Sequence, residues 1–171
     1  GILPFWVADM DFRVPAPIME ALKARTAHGI FGYTQPMDDY FAAIQSWFAT
    51  RHNWNVTASD LIITPGVVFA LATAIRTFTQ PGDAVLIQQP VYYPFANIIR
   101  ENARRLVNSQ LRLLRSRYMI DFNDFEQKII ENNVKLFILC SPHNPVGRVW
   151  THAELAQLAD ICLRHNVLVI A

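Results

Sequence analysis

The chain has 171 residues, a net charge of +1, 52% hydrophobic residues and 17% charged ones. This length suits one domain, or one large domain cut short. The near-neutral charge offers no basis for binding nucleic acid or an acidic membrane. No apolar run reaches the roughly 18 residues of a membrane-spanning helix. A charged fraction below the usual ~25% points to surface meant for burial against further chain or a partner subunit, added to an ordinary apolar-rich core.

In chain order, the first fifteen residues read as extended and rich in Trp, Phe and Pro. Pro17 then sits near the start of a helix that runs to about His28 and is stopped by Gly29. A loop from Gly29 to Pro36 follows. A helix from about Met37 to His52 comes next, with Phe41, Ile44, Trp47 and Phe48 on one stripe. From Asp60 the pattern alternates strand and helix. Leu61–Thr64 reads as a strand, Val67–Thr79 as a helix, Ala84–Ile87 as a strand and Tyr93–Asn102 as a helix. Leu106–Leu114 is largely extended. Phe122–Asn132 is helical and Val134–Cys140 is an apolar strand. Thr151–Arg164 is a helix opened by the capping box Thr151-x-x-Glu154, and Val167–Ala171 is a last apolar strand.

Two regions result. Residues 1–35 form an N-terminal extended segment and loop, with helices to about 59, and residues 60–171 carry the strand–helix alternation. Continuous apolar strands between helices imply an α/β fold, with a mostly parallel sheet sandwiched by helices. Ligands of such sheets bind beyond the carboxyl ends of the strands. A start in mid-pattern and an end inside an apolar run lead us to expect an incomplete domain. No charged leader precedes an apolar stretch at Gly1–Phe5, so no signal peptide is expected.

Three strand-end loops are therefore the candidates for chemistry. Thr64-Pro-Gly-Val-Val-Phe69 opens a helix, whose free N–H groups and partial positive charge suit a phosphate. Gly66 permits the tight turn and close backbone approach. In Gln89-Pro-Val-Tyr-Tyr-Pro-Phe95, the flat ring of Tyr92 or Tyr93 would stack on a planar group. Cys140-Ser-Pro-His-Asn-Pro-Val-Gly-Arg-Val-Trp150 has a backbone shaped by two prolines and a glycine. Asn144, preceding Pro145, is biased to an extended shape that would aim its amide at a ligand, and one X-Pro bond there is a candidate for cis. Taken singly, each loop reads more readily as an ordinary turn.

Cys140 and Cys162 lack metal-ligand spacing and read as buried free thiols in a reducing, cytoplasmic setting. His28, His52, His143, His152 and His165 form no metal cluster by spacing, so no metal is expected. We read them mostly as exposed loop or helix-end residues, with His143 near the candidate site but without a catalytic role.

At the third loop, Ser141-Pro-His-Asn-Pro-Val-Gly147 resembles the NPxG signature of fold-type I pyridoxal-phosphate enzymes, the aminotransferase class I/II superfamily. Phe5-Trp-Val-Ala-Asp-Met-Asp-Phe12, Gly32-Tyr33, Thr64-Pro-Gly-Val-Val68 and Asn144-Pro-Val-Gly-Arg-Val-Trp150 together resemble its MalY/PatB branch, the cystathionine β-lyases and cysteine C–S lyases. The resemblance implies pyridoxal 5'-phosphate as cofactor and an aminotransferase-like large domain. It implies a β-lyase that cleaves cystathionine or cysteine conjugates to pyruvate, ammonia and a thiol. An aminotransferase is the alternative on the same fold. A regulatory or binding protein with such a domain is the alternative of another class.

Residue by residue, the resemblance implies that the amides of Gly66, Val67 and Val68 hold the cofactor phosphate. Tyr92 would stack on the pyridine ring and Asn144 would bond its phenolic oxygen. Tyr33 would reach the phosphate of a neighbouring subunit's cofactor, which implies a homodimer. Val7 and Ala8 would line the substrate pocket. The family's Schiff-base lysine and ring-nitrogen aspartate are expected beyond Ala171. Lys23, Lys128 and Lys135 match no family motif and read as solvated surface, so the 171-residue piece alone is expected to be inactive.

Overall fold

A strand such as Ala84-Val-Leu-Ile87 carries apolar side chains on both faces, so it is stable only where both are covered. That condition is met in the second of the two units into which the chain divides, Gly1–Ile62 and Ile63–Ala171. The computed structural model describes residues 8–171.

In the Ile63–Ala171 unit, α3 (Val67–Phe78) leads to β1 (Ala84–Ile87), α4 (Pro94–Glu101) and β2 (Arg105–Asn108). A hairpin of β3 (Arg112–Leu114) and β4 (Arg117–Met119) follows. Then come α5 (Phe122–Asn132), β5 (Val134–Ile138), α6 (His152–Arg164) and β6 (Leu168–Ile170). The four-stranded sheet has the order β2-β1-β5-β6, and every pairing in it is parallel. Leu86 lies opposite Val107 on one side and Phe137 on the other.

Alternation along β1 divides the core into two layers. Ala84 and Leu86 join Phe125, Ile129, Leu158, Ile161 and Cys162, on the face covered by α5 and α6. Val85 and Ile87 join Leu71, Ile75, Phe95 and Ile99, on the face covered by α3 and α4. All four β1 residues are buried, as the continuous apolar run predicts.

Two expectations are corrected. Leu61–Thr64 is not a strand: it pairs with no strand among the described residues, and an apolar run without a partner row of N–H and C=O groups stays irregular. The extended stretch after Leu106 is two short pieces, and a second hairpin arm, β4, was not foreseen. Its turn uses Arg115 (φ 46°) and Ser116 (φ 67°). Both residues take the left-handed region that such two-residue turns require, without the Asn-Gly or Gly pair that normally announces one.

The Gly1–Ile62 unit holds α1 (Ala16–His28) and α2 (Asp38–His52), neither of which buries a residue. Gly29 ends α1 in the left-handed conformation. After α2 the chain doubles back through Asn53 (φ 49°), where Trp54 meets Phe48 edge-on and Gln45 donates to the Val56 carbonyl. A short 3-10 turn, Ala58–Asp60, carries a capping box between Thr57 and Asp60. On the expected α2 stripe Phe41, Ile44 and Phe48 are half-buried, whereas Trp47 is exposed beneath Arg51.

Phe125 is fully buried and meets Phe137 edge-to-face, with ring centres 4.9 Å apart. Truncation to Ala in the whole protein should therefore cost about 3–5 kcal/mol, read from the shift of a denaturant unfolding midpoint.

Candidate cofactor site at the carboxyl edge of the sheet

From β1 the chain builds outward in both directions, to β2 on one side and to β5 and β6 on the other. The reversal leaves the loops after β1 and β5 side by side at the carboxyl edge, where open α/β sheets form their binding crevice. The loop that opens α3 borders the same place. Val68, Val91 and Cys140, one from each of the three predicted loops, all pack around the α3/α4-side core layer. The three loops are thus brought together.

The α3 loop ends at Gly66, with φ 121° and nothing within 4 Å of where a Cβ would project. No side chain caps the helix, and Thr64 is turned instead onto the Gly66 carbonyl at 3.2 Å. The first-turn N–H groups of Val67 and Val68 therefore face an open approach, in keeping with an anion site at a helix N-terminus.

In the β1 loop, Tyr92 is 37% exposed and is braced edge-on by buried Phe95, with ring centres 5.8 Å apart. Tyr93 is largely exposed, so packing of the helix does not consume both rings. The backbone beneath Tyr92 is clamped: Asn108 Oδ1 accepts from the Gln89 N–H at 2.9 Å, and the Gln89 carbonyl accepts from the Leu111 N–H at 2.8 Å. Gln89–Pro90 is cis, as are Ser141–Pro142 and Asn144–Pro145 in the third loop, where one such bond was expected.

The β5 loop is held by a polar lattice. Arg148, only 7% exposed, makes a two-point pair with Glu154 at 3.0 and 2.9 Å and donates to the Tyr118 carbonyl at 2.7 Å. Its guanidinium lies 4.4 Å from the centre of the Trp150 ring. Trp150 donates to the Cys140 carbonyl at 2.9 Å. Glu154 also accepts from the N–H of Thr151, completing the capping box read from the sequence. Burial works against the charge of Glu154, but the hydrogen bonds from Arg148 and Thr151 outweigh it and hold the carboxyl below its ordinary range. Asn144 sits exposed at the loop's outer side, its N–H 3.4 Å from Cys140 Sγ.

His143 departs from the expectation of an exposed histidine: it is 2% exposed and lies edge-on to Trp150. A His between Pro142 and Asn144, seven residues before a Trp, gives no periodic signal of burial; only the folded loop turns it inward. Burial pushes its pKa down, against weaker upward pulls from backbone carbonyls, so the ring is held neutral.

Tyr33 and Ala8 are exposed and belong to the Gly1–Ile62 unit, and Val7 lies outside the described residues. Lys128 is on α5, and Lys135 is at the amino end of β5, bonded to Asn133. Neither is at the carboxyl edge. Lys23 and Lys135 are exposed, and Lys128 is half-buried.

Loss of the Glu154 carboxylate by Glu154→Ala strands a nearly buried guanidinium. The expected cost is about 3 kcal/mol, measured by denaturant unfolding. His143 makes a second expectation. Its folded pKa is depressed, so below about pH 6.5 the unfolded chain binds the proton more readily than the folded one. Its neutral burial then costs stability progressively as pH falls from there toward the folded pKa. The melting temperature of His143→Gln should accordingly fall less steeply than the parent's between neutral and mildly acidic pH.

Comparison with known proteins agrees with this geometry. The family model for aminotransferase class I and II matches residues 2–171. Cystathionine beta-lyase PatB of Bacillus subtilis is 47% identical over 169 residues, and Protein MalY of Escherichia coli is 36% identical over 171. Each alignment covers 99% of this chain and 44% of the relative, so the chain spans less than half the length of the curated relatives it matches. The crystal structure of cystalysin from Treponema denticola, which contains a pyridoxal 5'-phosphate cofactor, superposes with a TM-score of 0.91 at 39% identity, covering 98% of this chain and 43% of that one. With its parallel sheet, its three converging loops and a family match along nearly its whole length, this chain belongs to the aminotransferase class I and II family.

Proposed function

We propose that the whole protein is a pyridoxal-phosphate-dependent carbon–sulfur β-lyase, cleaving cystathionine or cysteine conjugates to pyruvate, ammonia and a thiol. The observation that carries the proposal is that the loops bearing an uncapped helix N-terminus, a partly exposed tyrosine ring and an exposed asparagine pack around one apolar layer at the strand-order reversal. Phosphate, aromatic ring and ring oxygen are the three features a phosphorylated pyridine offers to such a set. The likeness to PatB and to cystalysin supports the same choice.

In this proposal the amides of Gly66, Val67 and Val68 take the phosphate, aided by the α3 dipole. The open space over Gly66 admits the phosphate oxygens, where a Cβ would intrude. Tyr92 covers one face of the ring, and Asn144 donates to the ring's phenolic oxygen. Bound there, the cofactor supplies an electron sink for the charge left on the substrate α-carbon when its proton is removed. The chain's own part is to hold the ring plane and its oxygen immobile while that charge develops. The Arg148–Glu154 lattice serves this by fixing the backbone on which Asn144 sits. Val7 and Ala8 are assigned to the substrate pocket.

Tyr33 is assigned to the phosphate of a second subunit's cofactor, which makes the working form a homodimer. The exposed Ile18, Leu22, Phe31 and Tyr33 of a unit whose helices bury no residue support an interface there. We assign the protein to the cytoplasm, where thiols stay reduced. Cys140 and Cys162 are free, and burial pushes the Cys162 thiol up to about 11, leaving it inert.

The second reading, an aminotransferase, is favoured by the breadth of the family match and shares every contact above. Product analysis separates the two. The whole protein, given pyridoxal phosphate and cystathionine without a keto-acid acceptor, is expected to release pyruvate and a thiol in equal amounts. Turnover that requires a keto acid and releases no thiol would instead establish the aminotransferase.

A further inference from the structure

Where β1 and β5 end, one buried side chain spans the gap between their loops. His143 Nε2 lies 3.0 Å from the carbonyl oxygen of Pro90. A carbonyl oxygen only accepts, so Nε2 carries the proton and Nδ1 keeps its lone pair. Among the described residues the buried Nδ1 has no hydrogen-bond partner, so the Pro90 carbonyl is the acceptor that selects the tautomer. Among the described residues this is the one hydrogen bond between the loop after β1 and the loop after β5.

Both ends of this bond are rigid. The Gln89-Pro90 backbone is pinned to Asn108 and Leu111 on its far side. The backbone of His143 is pinned as well: its N–H donates to the Arg148 carbonyl at 2.6 Å, and its carbonyl accepts from the Gly147 N–H at 2.8 Å. Its ring edge rests against Trp150, which Arg148 covers. A bond between two stiff supports transmits position, because neither side can relax to absorb a change. Tyr92 follows Pro90 by two residues, and Asn144 is the next residue after His143. The bond therefore joins the two strands of chain that carry the ring-stacking and ring-oxygen contacts.

We propose that His143 is a positioning residue that sets the separation of Tyr92 from Asn144 through its N–H bond to the Pro90 carbonyl, and so governs how tightly and in what orientation the cofactor ring is held. The proposal rests on the function assigned above. His143 itself is buried, and the proposal gives it no contact with cofactor or substrate. The competing account is that His143 merely fills volume beside Trp150. A leucine would then serve nearly as well.

The test uses the whole protein, stripped of cofactor and titrated with pyridoxal phosphate, as parent, His143→Leu and His143→Gln. Affinity is read from the fluorescence change on binding, and ring orientation from the visible circular dichroism of the bound cofactor. Leu removes the donor, and loss of one such buried hydrogen bond should weaken binding about tenfold. The dichroism band should also change in size or sign. Gln places an amide N–H near the position of Nε2, so it should restore affinity to within about threefold and recover the band. Nitrogen-15 NMR of the parent should find the ring neutral with its proton on Nε2. A proton on Nδ1 overturns the proposal even if the leucine variant fails to fold. So does a leucine variant with the parent's affinity and dichroism, or a glutamine variant no better than leucine. A parent that takes up no pyridoxal phosphate defeats the function reading itself. A parent that binds normally, with the leucine variant unchanged, defeats this inference alone.

Discussion

The arrangement of the site depends on one constraint: the parallel sheet must keep both of its faces dry. Each strand of continuous apolar sequence needs a helix on either side, and a parallel neighbour can be reached only by a crossover. In the order β2-β1-β5-β6, α4 crosses from β1 to β2 and α6 crosses from β5 to β6. The chain therefore departs from β1 and β5 in opposite directions, and the ground between their carboxyl ends stays open. The uncapped end of α3 reaches the same ground because Leu71 and Ile75 must bury against Val85 and Ile87. Burial of apolar area thus places the three loops together, before any bond between them forms.

Apolar burial alone would leave those loops soft, since loop backbone carries groups that must find partners. Here the partners are buried polar side chains. Arg148 and Glu154 are paired at two points, and each has further bonds, to Tyr118 and to Thr151. A buried pair of this kind adds little net stability but is costly to break halfway. Its value lies in the single geometry that satisfies every donor and acceptor. Trp150 and His143 extend the same order inward, to Cys140 and Pro90. The loop bearing Asn144 is thus tied to the helix that follows it and to the neighbouring strand-end loop.

The Gly1–Ile62 unit follows a different logic. Its helices are well formed, with Gly29 and Asn53 closing them in the left-handed conformation, yet neither holds a fully buried residue. Helices of this length draw most of their stability in proteins from a packed face. The exposed Ile18 and Leu22 of α1, with Phe31 in the loop beyond it, are such apolar surface without a counterpart among the described residues. This agrees with the low charge content of the sequence, which already pointed to surface meant for cover.

Much of the architecture could be read in the sequence because local signals are strong there. Pro17, Gly29, the Thr151–Glu154 box and the all-apolar β1 each act within a few residues, and the elements they mark fall within a residue or two of expectation. The NPxG block and its companions likewise pointed to the family before any geometry was known. The Leu61–Thr64 run misled, and the Arg115-Ser116 turn carried no signal, for one shared reason. Whether apolar residues become a strand depends on a partner elsewhere in the chain, and an unusual turn pair is tolerated when the flanking strands dictate it. The sequence by itself determined the strand–helix alternation, the apolar faces and the residue types offered at each strand end. Only the tertiary structure decided that β1 and β5 are neighbours, that Arg148 turns inward to Glu154 and that His143 is buried against Pro90. The sheet pairing and the His143–Pro90 bond join residues far apart along the chain, and Arg148 is turned to Glu154 where the distant Tyr118 carbonyl also takes its guanidinium, so no local preference can encode them.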